Sequence, residues 1–390
     1  MHPLYTGEAR VDLAAVRANV AELGRRAGAA EVMAVVKADA YGHGLLPSAR
    51  AALQGGASWL GVAQLSEALA LREGGVSAPV LCWLQAPGSD LAPAVAHGVD
   101  VGVSAPWALD AAVSAAATTG RPARVQLKVD TGLGRNGAFH QRVGGAARSD
   151  WETLVDAAAR ARAGGSVEVT GIFTHFAYAD APHHPTVRAQ QEAFTEAVRV
   201  AEAAGLRDLL RHMANSAAVL TSPESAWDMV RPGVAVYGLS PVPELGSSAD
   251  FGLVPAMTAT ARVALVKEVP QGQGVSYGHT YTTPAPTRLA DVPLGYADGV
   301  PRHASNRAEV LVGGARRRIA GRVCMDQFVV DVGDLPVAAG DEVLLFGPGT
   351  HGEPTAQDWA EACGTINYEI VTRFGARVPR VHLGQAEVRA

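Results

Sequence analysis

A rhythm constrains this chain more than any single residue does. From Val11 to Tyr237, short apolar runs rich in β-branched residues alternate with alanine-rich segments whose apolar positions recur at helical spacing. The runs are Val32–Val36, Trp59–Ala63, Val80–Leu84, Val99–Val103, Val125–Val129, Val169–His175, Leu209–Met213 and Val234–Tyr237. Between most of them lie amphipathic stretches such as Leu65–Arg72, Ala105–Thr119, Trp151–Ala163 and Thr186–Ala204. A leading helix is read from Val11, with Leu13, Val16, Val20 and Leu23 on one face and Gly24 near its end. Strands apolar on both faces, with helices in the gaps, call for a parallel sheet covered on both sides. Eight such runs predict an α/β fold, a TIM-like (β/α)8 barrel over residues 11–240. A doubly wound open sheet is the alternative, since sequence does not show closure.

The texture changes near Leu239. Pro241, Pro243, Gly246, Ser247 and Ser248 form a linker-like patch, and short β runs follow at close intervals: Thr258–Val269, Arg288–Leu294, Val310–Val312, Ile319–Val323, Phe328–Val332 and Glu342–Phe346. One helix, Thr355–Cys363, stands among them. These runs predict a mainly-β domain over 241–390. The N-terminal strand, residues 1–10, is too short to fold alone and must dock on another part of the chain.

Composition narrows the function. Of 390 residues, 48% are hydrophobic and 18% charged, which suits a globular chain with sizeable cores. The net charge is −5 and the densest basic run is Arg316-Arg317-Arg318, which argues against a nucleic-acid partner. No apolar run reaches the ~18 residues of a membrane span, and residues 1–10 lack the basic-then-apolar pattern of a signal peptide. The three cysteines lie far apart with no CxxC spacing, which points away from zinc and disulfides. A cytoplasmic location is expected.

In a barrel of this kind the loops after the strands surround the active site, and the chemically capable residues fall there. Lys37 ends the first run, before Asp39, Tyr41, Gly42, His43 and Gly44. Lys128 and Asp130 end the fifth, followed by a glycine-rich loop with Arg135. His175 ends the sixth, Asn215 and Ser216 follow the seventh, and Arg231-Pro232-Gly233 lead into the eighth, which Tyr237 closes. A half-desolvated lysine favours its free amine, as Schiff-base or proton-transfer chemistry requires; a lysine snorkelling from a strand end is the plainer reading. The region around the last two strands is where such barrels bind phosphate. There Ser216 supplies a hydroxyl and helix N-terminal amides, and Gly233 allows close backbone approach. A phosphate site and a strand-end lysine together suggest pyridoxal 5'-phosphate, with the phosphate as anchor and the lysine as internal aldimine.

Val35-Val-Lys-Ala-Asp-Ala-Tyr-Gly-His-Gly resembles the pyridoxal-lysine motif of alanine racemases. Lys128-Val-Asp-Thr-Gly-Leu-Gly-Arg-Asn-Gly, Thr174-His-Phe, Ala214-Asn-Ser-Ala-Ala, Val230-Arg-Pro-Gly and Tyr237-Gly resemble further barrel segments of that family. Gly274-Val-Ser-Tyr-Gly, Leu294-Gly-Tyr-Ala-Asp-Gly, Gly321-Arg-Val-Cys-Met-Asp-Gln and Asn367-Tyr-Glu resemble its C-terminal β domain. So many short motifs in one order go far beyond what a single pattern carries.

The resemblance implies interconversion of L- and D-alanine by two-base proton transfer on an external aldimine, supplying D-alanine for peptidoglycan. Lys37 would hold pyridoxal phosphate and act as one base. Tyr277 would be the other, reaching in from the partner subunit of a homodimer. Arg231 would face the pyridine nitrogen and His175 would pack beside the ring. Tyr41, Ser216, Gly233, Val234 and Tyr368 would hold the phosphate. Arg135 would meet the substrate carboxylate, helped by the Met325 backbone across the dimer. Asn215, His212 and Asp326 would support the site, with His212 on Arg231. Lys128 matches a position that can be carbamylated to orient Arg135. Asp180, Tyr296, Arg302, Arg322 and Ile366 match the substrate entrance.

Three rivals keep a pyridoxal-phosphate barrel. A decarboxylase of similar fold carries adjacent Cys-Asp, whereas Met325 separates Cys324 from Asp326 here. A racemase of broader substrate range, acting on serine or lysine, depends on pocket width. A non-catalytic binding protein would lack the β half and its tyrosine. A metal enzyme fits least, because His183-His184 is the only tight histidine pair and no HExxH is present.

Overall fold

The computed structural model describes residues 4–384. Eight parallel strands follow one another round a nearly closed barrel, each beside its sequence neighbour: Glu31–Val35, Trp59–Val62, Val80–Cys82, Asp100–Val103, Ala123–Asp130, Val167–Phe173, Leu210–His212 and Met229–Val230. The last strand pairs with the first, Val230 opposite Val32. The remaining gap is spanned by backbone bonds from Asp228 N to Arg211 O and from Arg231 N to Ala214 O. Helices Leu65–Glu73, Pro106–Thr119, Asp150–Ala163 and Pro185–Ala203 fall where amphipathic spacing puts them. Glycines end the second and third of these, and Ser149 opens the third with a capping box to Glu152.

The eighth strand differs from the sequence expectation. Val234–Tyr237 is a 3-10 turn and the strand is Met229–Val230, so Arg231, Pro232 and Gly233 follow it rather than lead into it. The apolar run misleads because the Ser216 hydroxyl accepts from the amides of Gly233 and Ala235, which curls the chain. Tyr237 closes no strand; it is fully buried with its hydroxyl on Val35 O. The leading helix is Leu13–Ala27, and Val11 lies in the preceding strand.

That strand, Gly7–Asp12, joins the second half of the molecule. It runs antiparallel to Met257–Arg262 and parallel to Arg380–Leu383 in a six-stranded sheet. Residues 1–3 and 385–390 of the expected second unit lie outside the described residues. The run expected as Thr258–Val269 is two strands, Met257–Arg262 and Leu265–Val269, which belong to different sheets. Ile319–Val323 is not a strand: only Ile319 makes an isolated bridge, to Val330. Its place is taken by Ala315–Arg318, a hairpin with Glu309–Val312 turning on Gly313-Gly314, both at positive φ. Such a two-residue turn favours glycine pairs. The basic run read from sequence is therefore one exposed edge strand, a common way of blunting a sheet edge. Helix Asn367–Thr372 and strand Arg380–Leu383 were not expected. Among the described residues no helix is long and apolar enough to cross a membrane.

Candidate active site

The first barrel strand ends at Val35, two residues earlier than expected, and Lys37 opens a short left-handed turn. Ala38, Asp39, Ala40 and Tyr41 all sit at φ of 53–56°. Each such residue costs about 1–2 kcal/mol in an L-amino acid, so the turn persists only because its surroundings over-determine it. Glu67 accepts from Ala38 N at 2.5 Å and Asp39 from Leu45 N at 2.7 Å. The buried His43 ring reaches Ala40 O and Tyr41 O at 3.1 and 2.9 Å and stacks on Tyr237 at 4.5 Å. Both partners are carbonyls, so Nδ1 carries the proton. From the other half of the chain, Arg380 donates to Gly42 O and His382 to His43 O, each at 2.8 Å. The turn thereby aims Lys37 and Tyr41 into one cavity.

That cavity encloses about 490 Å³ at the C-terminal ends of the strands. Lys37, Tyr41, Lys128, Arg135, His175, Asn215, Ser216, Arg231, Gly233, Val234, Ile366 and Tyr368 all line it. Its charge is lopsided: four cations face it, and of the carboxylates only Glu369 lines it, already paired with Arg373 at 2.9 Å. Burial, with Arg135 nearby, lowers the Lys37 amine below its ordinary value. The same two causes, joined by Arg231, bring Lys128 down to about 8. His175 is held neutral, well below 6.5, by burial and by Arg231, which lies 3.3 Å from its Nδ1. Among the described residues Arg231 has no carboxylate partner; it donates to His212 Nδ1 at 2.9 Å and Thr174 O at 2.6 Å, and burial draws it to about 9.

On one wall a hydroxyl cradle converges. A Cβ on Gly233 would stand 2.3 Å from the Tyr41 hydroxyl oxygen, so only glycine leaves that oxygen its place. The Ser216 oxygen receives two amides and keeps its own proton to donate. Tyr368 lies 6.2 Å from Tyr41 between ring centres, and burial with Asp180 nearby raises its phenol to about 12. Asn215 caps the helix that Ser216 opens, accepting from Ala218 N. Three hydroxyls, bare backbone and unpaired positive charge fit a phosphate dianion.

A second set of expected residues is elsewhere. Tyr277 is 70% exposed and Met325 53% exposed, and neither lines the cavity. They are neighbours on one outer face: Ser276 bonds Arg322 O and Cys324 Sγ, and Tyr296 N and Ala297 N bond Cys324 O and Met325 O. Arg302 joins the same region through Ser305, which caps Val323 N, and Asp326 pairs with Arg377 at 2.8 Å. Asp130, at the end of the fifth strand, and His184, of the histidine pair, have structural occupations. The Asp130 carboxylate gathers the amides of Gly132, Leu133 and Gly134, and His184 caps the helix that begins at Pro185. No cluster of metal-ligating side chains occurs among the described residues.

Sequence reasoning missed Phe173, which lines the cavity with Lys128 Nζ 5.7 Å and Arg231 Cζ 5.5 Å from its ring centre. It also missed Glu67, whose signal was its place in the capping box of the helix at Leu65.

Comparison with known proteins supplies the remaining finding. The family model described as alanine racemase, N-terminal domain, matches residues 11–241, and that for the C-terminal domain matches 256–382. A curated alanine racemase of Frankia casuarinae is 63% identical over 95% of this chain and 94% of its own. The crystal structure of alanine racemase from D-cycloserine-producing Streptomyces lavendulae superposes with a TM-score of 0.95 at 55% identity, covering 98% of both chains. That from Corynebacterium glutamicum gives 0.83 at 39% identity, over 97% of this chain and all of the other. On this evidence of sequence and fold together, the chain belongs to the alanine racemase family of isomerases.

Proposed function

We propose that the protein interconverts L- and D-alanine in the cytoplasm as a pyridoxal-phosphate-dependent, two-base racemase, supplying D-alanine for peptidoglycan. The observation that carries this reading is the sharing of one cavity by the Lys37 amine, the Arg231 guanidinium and the Tyr41–Ser216–Gly233–Tyr368 cradle. When bound, pyridoxal phosphate supplies an aldehyde that condenses with amines and a ring that withdraws electrons from the substrate Cα.

The protein's own residues do the rest. Tyr41, Ser216, Tyr368 and the backbone at Gly233 and Val234 receive the phosphate, while Asn215 steadies the helix that presents Ser216. Arg231, a donor that cannot accept a proton, would face the pyridine nitrogen and limit how strongly the ring withdraws charge. Neutral His175 would pack beside the ring. Arg135 takes the substrate carboxylate, and Lys128 orients Arg135 when carbamylated. Lys37, its amine freed by burial, moves a proton on one face of Cα. Inversion needs a second base on the opposite face. The other ionisable groups of the cavity are taken up by the phosphate, the ring and Arg135 in this reading, and Tyr277 is exposed outside the cavity, so Tyr277 of the partner subunit is assigned this role in a homodimer. Met325, Tyr296, Arg302, Arg322 and Asp326 come with it, and meet Asp180 and Ile366 at the entrance.

The test is purified protein incubated separately with each enantiomer of alanine, serine and lysine while optical rotation is followed. Alanine of either hand should decay to zero rotation. Borohydride reduction should place a pyridoxyl mass on the Lys37 peptide. Tyr277→Phe should lose solvent-proton exchange more severely from L- than from D-alanine; equal loss would overturn the assignment of faces.

A further inference from the structure

Along the barrel axis a line of buried polar side chains leads away from the cavity. Arg231 donates to His212 Nδ1 at 2.9 Å, His212 Nε2 meets Gln126 Oε1 at 2.7 Å, and Gln126 Nε2 donates to Asp100 Oδ2 at 3.1 Å. Asp100 also accepts from Arg124 Nε at 2.7 Å and Thr170 Oγ1 at 2.5 Å. Asp100 opens its strand, so it lies at the end of the barrel opposite the cavity. Asp100, Gln126 and His212 are all at most 1% exposed. The line runs through an otherwise apolar interior of Met33, Trp59, Leu81, Phe173 and Met229. Room has been left for it: a Cβ on Gly171 would stand 3.0 Å from Gln126 Oε1 and 2.8 Å from Leu210 O.

Both ends of this line have a fixed sense. Arginine only donates, and an ionised carboxylate only accepts. Gln126 must therefore turn its NH2 to Asp100 and its oxygen to His212. His212 must then carry its proton on Nε2, which leaves the Nδ1 lone pair for Arg231. Burial and the Arg231 charge keep that ring neutral, well below 6.5. With Asn at position 100 the sense reverses, because Arg124 Nε still needs an acceptor, takes the Asn oxygen and leaves the Asn NH2 facing Gln126, whose oxygen must turn to meet it. A reversed Gln126 would demand the other tautomer of His212, which presents N–H to the guanidinium and displaces it.

We infer that Asp100 is a positioning residue for Arg231, setting the direction of the Gln126 amide, hence the His212 tautomer, hence the lone pair that holds the guanidinium toward the cavity. The catalytic consequence rests on the proposed place of Arg231 beside the cofactor ring; the tautomer does not.

The experiment labels the holoenzyme with [15N]histidine and reads the ring nitrogens of His212, assigned by their absence in His212→Gln. Wild type should show a single Nε2–H tautomer. Asp100→Asn should shift the ring toward the Nδ1–H tautomer and lower kcat by about ten-fold, the scale on which outer partners act through the groups they orient, with KM changed less. Asp100→Asn/Gln126→Glu, which puts an acceptor-only group next to His212, should restore the Nε2–H tautomer and most of kcat. Leu81→Ala, a cavity in the same interior, should lower the melting temperature without altering the tautomer. An Nδ1–H ring in wild type would overturn the inference with no variant needed, as would a single unchanged tautomer in Asp100→Asn. A tautomer that shifts while kcat stays put would support the inference and overturn the catalytic place given to Arg231.

Discussion

Four cations share the cavity, and the one carboxylate lining it is already paired with Arg373, an arrangement that favours an anion there. Gly233 is the sharpest point of that design. Gly233→Ala forces a methyl group against the Tyr41 hydroxyl, 2.3 Å away. Displacing that hydroxyl should weaken pyridoxal-phosphate affinity by about ten-fold or more, the loss of one charge-assisted hydrogen bond. Titration of stripped protein with the cofactor reads this directly, and unchanged affinity would remove Tyr41 from the phosphate. Acid sensitivity is a second consequence at this scale. His43 titrates at about 4 against an ordinary 6.5, because it is fully buried. Between those values the unfolded chain binds the extra proton, so stability is complete above about 6.5 and declines as pH falls toward 4. The loss is on the order of 3 kcal/mol for this ring, and His175 and His212, also lowered by burial, add in the same direction. Melting temperature should therefore fall between pH 7 and pH 5, and His43→Gln should flatten that slope. A slope unaltered by His43→Gln would show that this ring is not held neutral by the fold.

At the level of elements, the left-handed turn from Ala38 to Tyr41 is the least expected piece of backbone and the one on which the site depends. The motif around Lys37 reads as a strand ending on the lysine, because a β-branched run before it signals strand by local propensity alone. What overrides propensity is distant: Arg380 and His382, from the last described strand, hold the turn's carbonyls. Gly42 sits at φ +79° with Val371 O 2.5 Å from where a Cβ would be. Gly42→Ala combines a left-handed strain with a backbone clash, and should cost about 2–4 kcal/mol. Arg380→Ala should lower the melting temperature by a few degrees and speed cofactor loss, although it lies outside the cavity. Equal cofactor retention would show that the turn holds without its clasp. The eighth strand was misplaced for the same kind of reason. Val234–Tyr237 has the composition of a strand, and only Ser216, folded beside it from an earlier segment, turns it into a 3-10 helix. The seven other strands and the long helices were legible because period and length agree there. Phe173, Asp100 and Gln126 were not, since nothing local distinguishes a core residue from one that serves a site across the barrel.

For the whole molecule, the decisive fact is that the expected catalytic residues divide into two groups on separate surfaces. Lys37 and its neighbours line the cavity, whereas Tyr277, Tyr296 and Met325 stand outward on the β half. A symmetric pair of chains makes such a division productive, because each copy then presents its outer face to the other's cavity. Activity should accordingly fall on dilution below the dimer dissociation constant, and recover on concentration. The most direct measurement is subunit complementation. Lys37→Ala and Tyr277→Phe, each inactive alone, are mixed in equal amounts under conditions that exchange subunits, and racemisation of alanine is assayed. Half of the dimers are then mixed, and each mixed dimer holds one site with both wild-type bases, so the account predicts recovery of about a quarter of wild-type activity. No recovery, with exchange verified, would mean that both bases come from one chain and would contradict it.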